Sequence, residues 1–225
     1  MSSQRLPGKV LMCLGDKPLL TWVVTRAQRI SPLAKVAVLV GDRPENKPIL
    51  DWCRSAGIKC LSGPEDDVLA RYIQAAREMD VKTIVRLTGD NPIIDDNLIS
   101  ALLTAHHANQ SQYSSNKTEF GSRLPDGIGA EIFCRDVLEE LNDAEPDNLT
   151  KEHLNEFILA NPEKYNYLCI KEPADHSNFN FSIDTLEDLQ RVQNWLNKLS
   201  WDQWMKSTLW KSIVSLENMK NGTDE

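Results

Sequence analysis

The first half of the chain alternates short apolar runs with segments of helical spacing. Residues 36–40 read Val-Ala-Val-Leu-Val without a polar interruption, which is typical of a strand covered on both faces. We predict two further strands over residues 58–61 and 83–87, and helices over residues 19–30, 48–56, 66–79 and from Asp95 onward. Strands that alternate with helices favour a parallel, doubly wound sheet, which binds ligands at the carboxyl ends of its strands.

The second half is less regular. We predict strands or extended segments over residues 112–115, 130–133, 165–170 and 179–183, and helices over residues 137–141 and 151–159. Two capping boxes, Thr185 with Asp188 and Ser200 with Gln203, mark the starts of two more helices. The last helix carries an apolar stripe, which we interpret as a packing face, and the residues after Asn218 read as a polar tail.

Composition excludes several classes of protein. The 225-residue chain has a formal net charge of −8, which argues against nucleic acid as the main partner because phosphate backbones need a broad basic face. No apolar run approaches the roughly 18 residues of a membrane span. Five scattered cysteines without a CxxC pair suit reduced thiols and give no metal-ligand spacing. We therefore expect a soluble, cytoplasmic protein of one domain with no membrane partner.

The amino-terminal segment combines small and basic residues. Ser2, Ser3 and Gly8 would let the backbone approach an anion, while Arg5 and Lys9 supply fixed positive charge. An apolar stretch follows at once, so the loop leads directly into buried structure. This pattern predicts a loop that could wrap a triphosphate.

Two aspartates follow predicted strands. Asp90 comes after the strand at residues 83–87, with Gly89 leaving room beside it, and Asp184 comes after residues 179–183. Mg²⁺ bound to phosphates takes only one or two protein carboxylates, so these residues are candidate ligands. The alternative is that Asp90 caps a turn and Asp184 caps a helix.

Four more residues in the second half of the chain could carry chemistry. Asp126 and Glu131 lie in Pro-Asp-Gly-Ile-Gly-Ala-Glu at residues 125–131, and Glu152 and His153 are adjacent in a predicted helix. The alternatives are a glycine-rich turn with a strand residue facing solvent, and a structural histidine. His106 and His107 match no motif, and we expect them on a helix surface.

These motifs, taken in order, resemble a known family. The matching stretches are Ser-Gln-Arg-Leu-Pro-Gly-Lys-Val-Leu at residues 3–11, Leu-Gly-Asp-Lys-Pro-Leu-Leu at 14–20, Gly-Asp-Asn-Pro at 89–92, Pro-Asp-Gly at 125–127, Glu-Ile-Phe at 131–133, Glu-His at 152–153 and Ile-Asp-Thr-Leu-Glu-Asp at 183–188. They are similar to those of the cytidylyltransferases that make CMP-sugars, closest to the SpsF-like branch of spore coat polysaccharide biosynthesis. Acylneuraminate and CMP-Kdo cytidylyltransferases are more distant relatives.

The resemblance implies an α/β fold of the Rossmann-like nucleotide-diphospho-sugar transferase type, a three-layer α/β/α sandwich with a mainly parallel sheet. Residues 1–198 would form this domain, with a sugar-pocket and dimerisation excursion at 115–170, and residues 199–225 a helical segment and tail. In relatives a short apolar strand ending in Ala-Arg precedes the phosphate loop, so we expect the first central strand to be missing here. A mis-assigned start codon is the explanation we favour over a chain that truly lacks the strand.

The resemblance also implies a reaction, the Mg²⁺-dependent transfer of CMP from CTP to a surface-polysaccharide or nonulosonic-type sugar, with release of pyrophosphate. A homodimer is expected. Implied roles are catalysis for Arg5, Lys9 and Asp90, metal binding for Asp90 and Asp184, nucleotide binding for Ser2, Ser3, Arg5, Gly8, Lys9 and Gly89, and sugar binding for Asp126, Glu131, Glu152 and His153. Asn180 departs from the family, where Arg is common. The alternatives are a non-catalytic or truncated nucleotide-binding protein, or a nucleotidyltransferase that uses another nucleotide.

Overall fold

The computed structural model describes residues 3, 5–31, 35–144 and 146–221, and over these residues strands and helices alternate as predicted. The strands are β1 (Cys13–Leu14), β2 (Lys17–Pro18), β3 (Ala37–Gly41), β4 (Lys59–Gly63), β5 (Thr83–Arg86), β6 (Tyr113–Ser115), β7 (Glu131–Cys134) and β8 (Tyr167–Cys169). The helices are α1 (Leu19–Ala27), α2 (Lys47–Ala56), α3 (Val68–Glu78), α4 (Asp96–Ala108), α5 (Arg135–Asp143), α6 (Asn148–Glu152), α7 (Leu154–Ala160), α8 (Leu186–Leu196), α9 (Trp201–Trp204) and α10 (Leu209–Asn221).

Most strands run in one direction. β3 and β4 pair in parallel, and a four-stranded sheet has the order β5-β7-β6-β8. Within that sheet β7 is antiparallel to both β5 and β6, whereas β6 and β8 are parallel. β5, β6 and β8 therefore share a direction and β7 alone opposes them. β1 and β2 form a separate antiparallel pair beside the amino-terminal loop.

An apolar gap separates β3 from β5. The Lys35 ammonium, just before β3, donates to the carbonyl oxygen of Met79, just before β5. The two strands thus begin at the same end of the molecule. Among the described residues no ladder joins them, and a cavity of about 440 Å³ between them is lined by side chains such as Val38 and Ile84.

Local signals set the ends of several helices. Both capping boxes predicted from the sequence are present, at Thr185 with Asp188 and at Ser200 with Gln203. The Asp95 carboxylate caps α4 by accepting from the backbone N–H groups of Asn97 and Leu98, each at 3.0 Å. The single helix predicted over residues 151–159 is instead interrupted between α6 and α7. In the described ranges, the helices are all too short or too polar to cross a bilayer.

Residues 179–183, predicted as a strand, form no continuous ladder. The backbone N–H of Phe181 donates to the Asp126 carbonyl at 2.9 Å, and the N–H of Ile183 donates to the Asp90 carbonyl at 3.0 Å. The segment is extended but changes hydrogen-bonding partner within two residues. Only an isolated bridge, between Asp126 and Asn180, results.

The last helix predicted from the sequence is divided into α9 and α10, and its apolar stripe packs into the core except for Trp201, which is 53% exposed. Trp204, Trp210 and Ile213 are buried in one cluster with Trp22 and Phe181. The buried guanidinium of Arg26, on α1, donates to the carbonyl of Trp204 at 2.7 Å. These contacts bind the last helices to α1.

His106 contradicts the surface expectation. It lies on the inner face of α4 and is 1% exposed, with Nδ1 at 2.8 Å from the Ser114 hydroxyl oxygen. Burial lowers the pKa of His106 to about 4, with a smaller contribution from neighbouring His107. The imidazole is therefore neutral at physiological pH and serves the packing of α4 on β6. The sequence carried a signal for this, since residue 106 follows Ile99, Leu102 and Leu103 at helical spacing and so continues the apolar face of α4.

Candidate functional site

The amino-terminal loop is held by local hydrogen bonds. Gly8 adopts the left-handed conformation, with φ of 73°, and begins a short 3₁₀ turn over Lys9–Leu11. The backbone N–H of Leu6 donates to the Ser3 hydroxyl at 3.3 Å. Val10 packs against Gly89, where an added Cβ would lie 3.1 Å from a Val10 methyl group. The predicted loop therefore reaches the carboxyl end of β5, while Ser2 lies outside the described residues.

Asp90 and Asp184 are brought together by the backbone. Asp90 lies in the turn that follows β5, and Asp184 directly precedes the capping box of α8. The backbone N–H of Asp184 donates to the Asp188 carboxylate at 3.1 Å, which holds the backbone of Asp184 at the start of α8. The hydrogen bond from Ile183 to the Asp90 carbonyl joins the two segments. Two residues distant in sequence thus present their carboxylates at one point.

Lys9 bridges these two carboxylates. Its Nζ lies 2.6 Å from Oδ2 of Asp90 and 2.7 Å from Oδ1 of Asp184, and the Arg5 guanidinium lies 3.0 Å from the same Asp184 oxygen. The Lys9 side chain is 12% exposed, whereas that of Arg5 is 66% exposed. Burial alone would lower the pKa of Lys9, but hydrogen bonds and charge from Asp184 and Asp90 outweigh it and raise the pKa above its ordinary value.

This four-residue cluster, Arg5, Lys9, Asp90 and Asp184, carries two positive and two negative charges. The cations suit the oxygens of a phosphate chain, and the carboxylates suit a hard divalent cation. Across the ranges that the structure describes, no group of three or more His, Cys, Asp or Glu side chains could hold a metal ion by itself. The carboxylates of Asp90 and Asp184 fit Mg²⁺, which binds through one or two carboxylates and completes its shell with water and substrate phosphates.

Asp126 lies beside the segment that leads to Asp184. Gly127 has φ of 85°, and a Cβ there would lie 2.5 Å from the backbone nitrogen of Ser182. Only glycine allows this close approach. The Asp126 carboxylate accepts from the N–H of Gly127 at 2.8 Å. The predicted sugar-binding loop is thus packed on the extended segment that leads to Asp184.

Glu131 is enclosed in a buried network. Its side chain is 2% exposed and lies 2.6 Å from the Arg86 guanidinium and 3.3 Å from the Lys117 ammonium. The Tyr113 hydroxyl donates to its other oxygen at 3.0 Å. Burial raises the pKa of Glu131, but Arg86 and Lys117 outweigh it and hold the pKa below its ordinary value. The carboxylate is engaged within the protein, and contact with a sugar stays a prediction.

The sequence analysis missed the partners of Glu131. Arg86 interrupts the apolar run of β5, and this was the one signal for a buried charge. The register of the sheet explains why the two charges meet, because Arg86 on β5 lies opposite Glu131 on β7. Non-local pairing of this kind is not visible in a single sequence.

Glu152 and His153 lie away from buried structure. Both are exposed at the junction of α6 and α7. The neighbouring Lys151 ammonium lies 3.6 Å from the carboxylate of Asp67, the residue that caps α3. These contacts place the pair beside α3, and their predicted role in sugar binding stays a prediction.

Comparison with known proteins identifies the family of this chain. Residues 1–201 match the cytidylyltransferase family. The chain is 27% identical over 200 residues to the spore coat polysaccharide biosynthesis protein SpsF of Bacillus subtilis, covering 86% of this chain and 81% of that protein.

Solved structures show the same fold. A cytidylyltransferase from Leptospira borgpetersenii superimposes with a TM-score of 0.89 at 24% identity, over 99% of this chain and 92% of that one. CMP:2-keto-3-deoxy-manno-octonic acid synthetase complexed with CTP gives a TM-score of 0.64 at 17% identity, over 88% and 95%. The Rossmann-like α/β expectation is therefore confirmed. Since the family match spans most of the sequence, this chain belongs to the cytidylyltransferase family.

Proposed function

We propose that the protein transfers CMP from CTP to a sugar in a Mg²⁺-dependent reaction that releases pyrophosphate. The observation that carries this proposal is the four-residue cluster, in which two cations from the amino-terminal loop meet two carboxylates from separate segments, one after β5 and one before α8. Family membership supplies the cytidylyl chemistry.

In this reaction a sugar hydroxyl attacks the α-phosphorus of CTP, a new phosphorus–oxygen bond forms, and the bond to the β-phosphate oxygen breaks. The hydroxyl proton passes to solvent and pyrophosphate leaves. Lys9 and Arg5 would hold the phosphates and offset the charge that develops on the leaving group. Asp90 and Asp184 would hold Mg²⁺, which neutralises the triphosphate when bound. Positioning and electrostatics account for catalysis without a general base.

For the acceptor, we infer a sugar of a surface polysaccharide, because SpsF is named for spore coat polysaccharide biosynthesis. Asp126 is the best-placed candidate for its hydroxyl groups, since its loop packs on the segment that carries Asp184. We also propose a cytoplasmic homodimer formed through residues 115–170. The exposed side chains of Leu159 and Tyr167, at 42% and 45%, lie in this range.

The proposal is tested by pyrophosphate release from CTP with a panel of acceptors that includes 3-deoxy-2-keto acid sugars and nonulosonic acids. We expect sugar-dependent release with CTP and Mg²⁺, and a CMP-sugar identified by mass spectrometry. Equal release with another nucleoside triphosphate, or none with any acceptor, would argue for one of the two alternatives, a nucleotidyltransferase with a different donor or a binding protein.

A further inference from the structure

The Lys9 ammonium occupies the point where the two carboxylates converge. One nitrogen lies within 2.7 Å of both Asp90 and Asp184, which is the length of a charge-assisted hydrogen bond. The Lys9 side chain is only 12% exposed, so its ammonium is largely shielded from water where it meets the two carboxylates. A divalent cation held by both carboxylates would compete with this ammonium for the space between them.

Ammonium and metal therefore exclude each other. Both are compact cations, and the two carboxylates balance only two positive charges, which Lys9 and Arg5 already supply. Adding a divalent ion while Lys9 remains in place would bring like charges into contact in a partly buried site. Lys9 must leave before the ion can contact both carboxylates.

A bound triphosphate would give Lys9 another partner. The backbone of the loop is fixed by the turn at Gly8, so only the flexible four-carbon stem has to move. Phosphate oxygens accept from an ammonium as strongly as carboxylates do. The Arg5 side chain is 66% exposed and contacts the same Asp184 oxygen as Lys9, so its guanidinium can turn towards the same phosphates.

We propose that Lys9 is a built-in competitor of the divalent cation, holding the position between Asp90 and Asp184 until a triphosphate draws it away. Metal and triphosphate then bind with positive coupling, because each favours the state in which Lys9 has left the carboxylates. The nucleotide-free protein binds divalent cations weakly. The triphosphate step rests on the proposed function, whereas the competition between Lys9 and the metal does not.

The test is a titration of the nucleotide-free protein with Mn²⁺, with free Mn²⁺ followed by its electron paramagnetic resonance signal. Lys9→Met removes the charge and shortens the unbranched side chain by one atom, and we expect it to bind Mn²⁺ at least about tenfold more tightly than the original chain. Lys9→Arg retains a cation, and we expect it to show no gain in Mn²⁺ affinity. Combining Lys9→Met with Asp90→Asn should abolish the gain, which locates the ion.

Lys47→Met is the matched control, because Lys47 also pairs with an aspartate, Asp51, but on the exposed surface of α2. A gain of the same size in this variant, or none in either Lys9→Met or Lys9→Gln, would overturn the proposal. Circular dichroism checks that each variant is folded, and Lys9→Gln serves if Lys9→Met is not. Gain of Mn²⁺ affinity in a chain that ignores CTP would support the competition and reject the proposed function, so the two failures are distinguishable.

Discussion

Asp184→Asn is expected to lower kcat/KM for CMP transfer by about 10³-fold, equivalent to roughly 4 kcal/mol of transition-state stabilisation. The substitution keeps the shape of the side chain and removes one of two carboxylates proposed to hold the metal. It also replaces the carboxylate that lies 3.0 Å from the Arg5 guanidinium with a neutral amide. Most of the loss should appear in kcat, because the charge that the metal offsets grows as pyrophosphate departs. Steady-state pyrophosphate release measures both constants.

Asp42→Asn is the control for this substitution. Asp42 also follows a strand, β3, and its side chain is exposed outside the four-residue cluster. The control should retain activity within about twofold, since surface changes away from a site have small effects. An Asp184→Asn variant with the activity of the control would remove Asp184 from the catalytic account. A thermal scan of both variants ensures that loss of activity is not loss of fold.

Glu131→Ala is expected to lower the free energy of unfolding by about 3–5 kcal/mol, the usual cost of removing one partner from a buried ion pair. The change leaves the Arg86 guanidinium, whose side chain is 12% exposed, without its 2.6 Å partner. It also removes the acceptor of the Tyr113 hydroxyl. Urea denaturation followed by tryptophan fluorescence measures the effect.

The exposed carboxylate Glu152, changed to Gln, is the comparison for Glu131. It should shift the free energy of unfolding by less than about 0.5 kcal/mol. A similarly small shift for Glu131→Ala would contradict a structural role and favour a role in sugar binding alone. Because the pKa of Glu131 is held below its ordinary value of 4.5, the stabilisation is present at neutral pH and is lost as the pH falls below that value.

Local patterns made much of the fold predictable. The uninterrupted run of β3 and the two capping boxes are encoded within a few residues, and the structure has each of them. The extended segment at 179–183 was wrongly assigned to a strand because ladders depend on partners elsewhere in the chain. The burial of His106 was also not predicted, since we expected this residue on a helix surface.

The sequence indicated the residues of the four-residue cluster as candidates, but it did not indicate how their side chains are arranged. Asp90 and Asp184 each follow an extended segment, and the motifs around them suggested a shared function. That Lys9 would lie between them, within 2.7 Å of both, depends on how the loop folds over Gly89. The burial of Glu131 likewise depends on its register against Arg86.

The central claim is that the four-residue cluster binds the triphosphate of CTP together with Mg²⁺. Calorimetric titration with CTP, in the presence and absence of Mg²⁺ and beside ATP, GTP and UTP, tests it most directly. The account predicts saturable binding that is selective for CTP, strengthened by Mg²⁺ and weakened in Asp184→Asn. A folded protein that gives no heat with CTP, or equal heat with all four nucleotides, would contradict it.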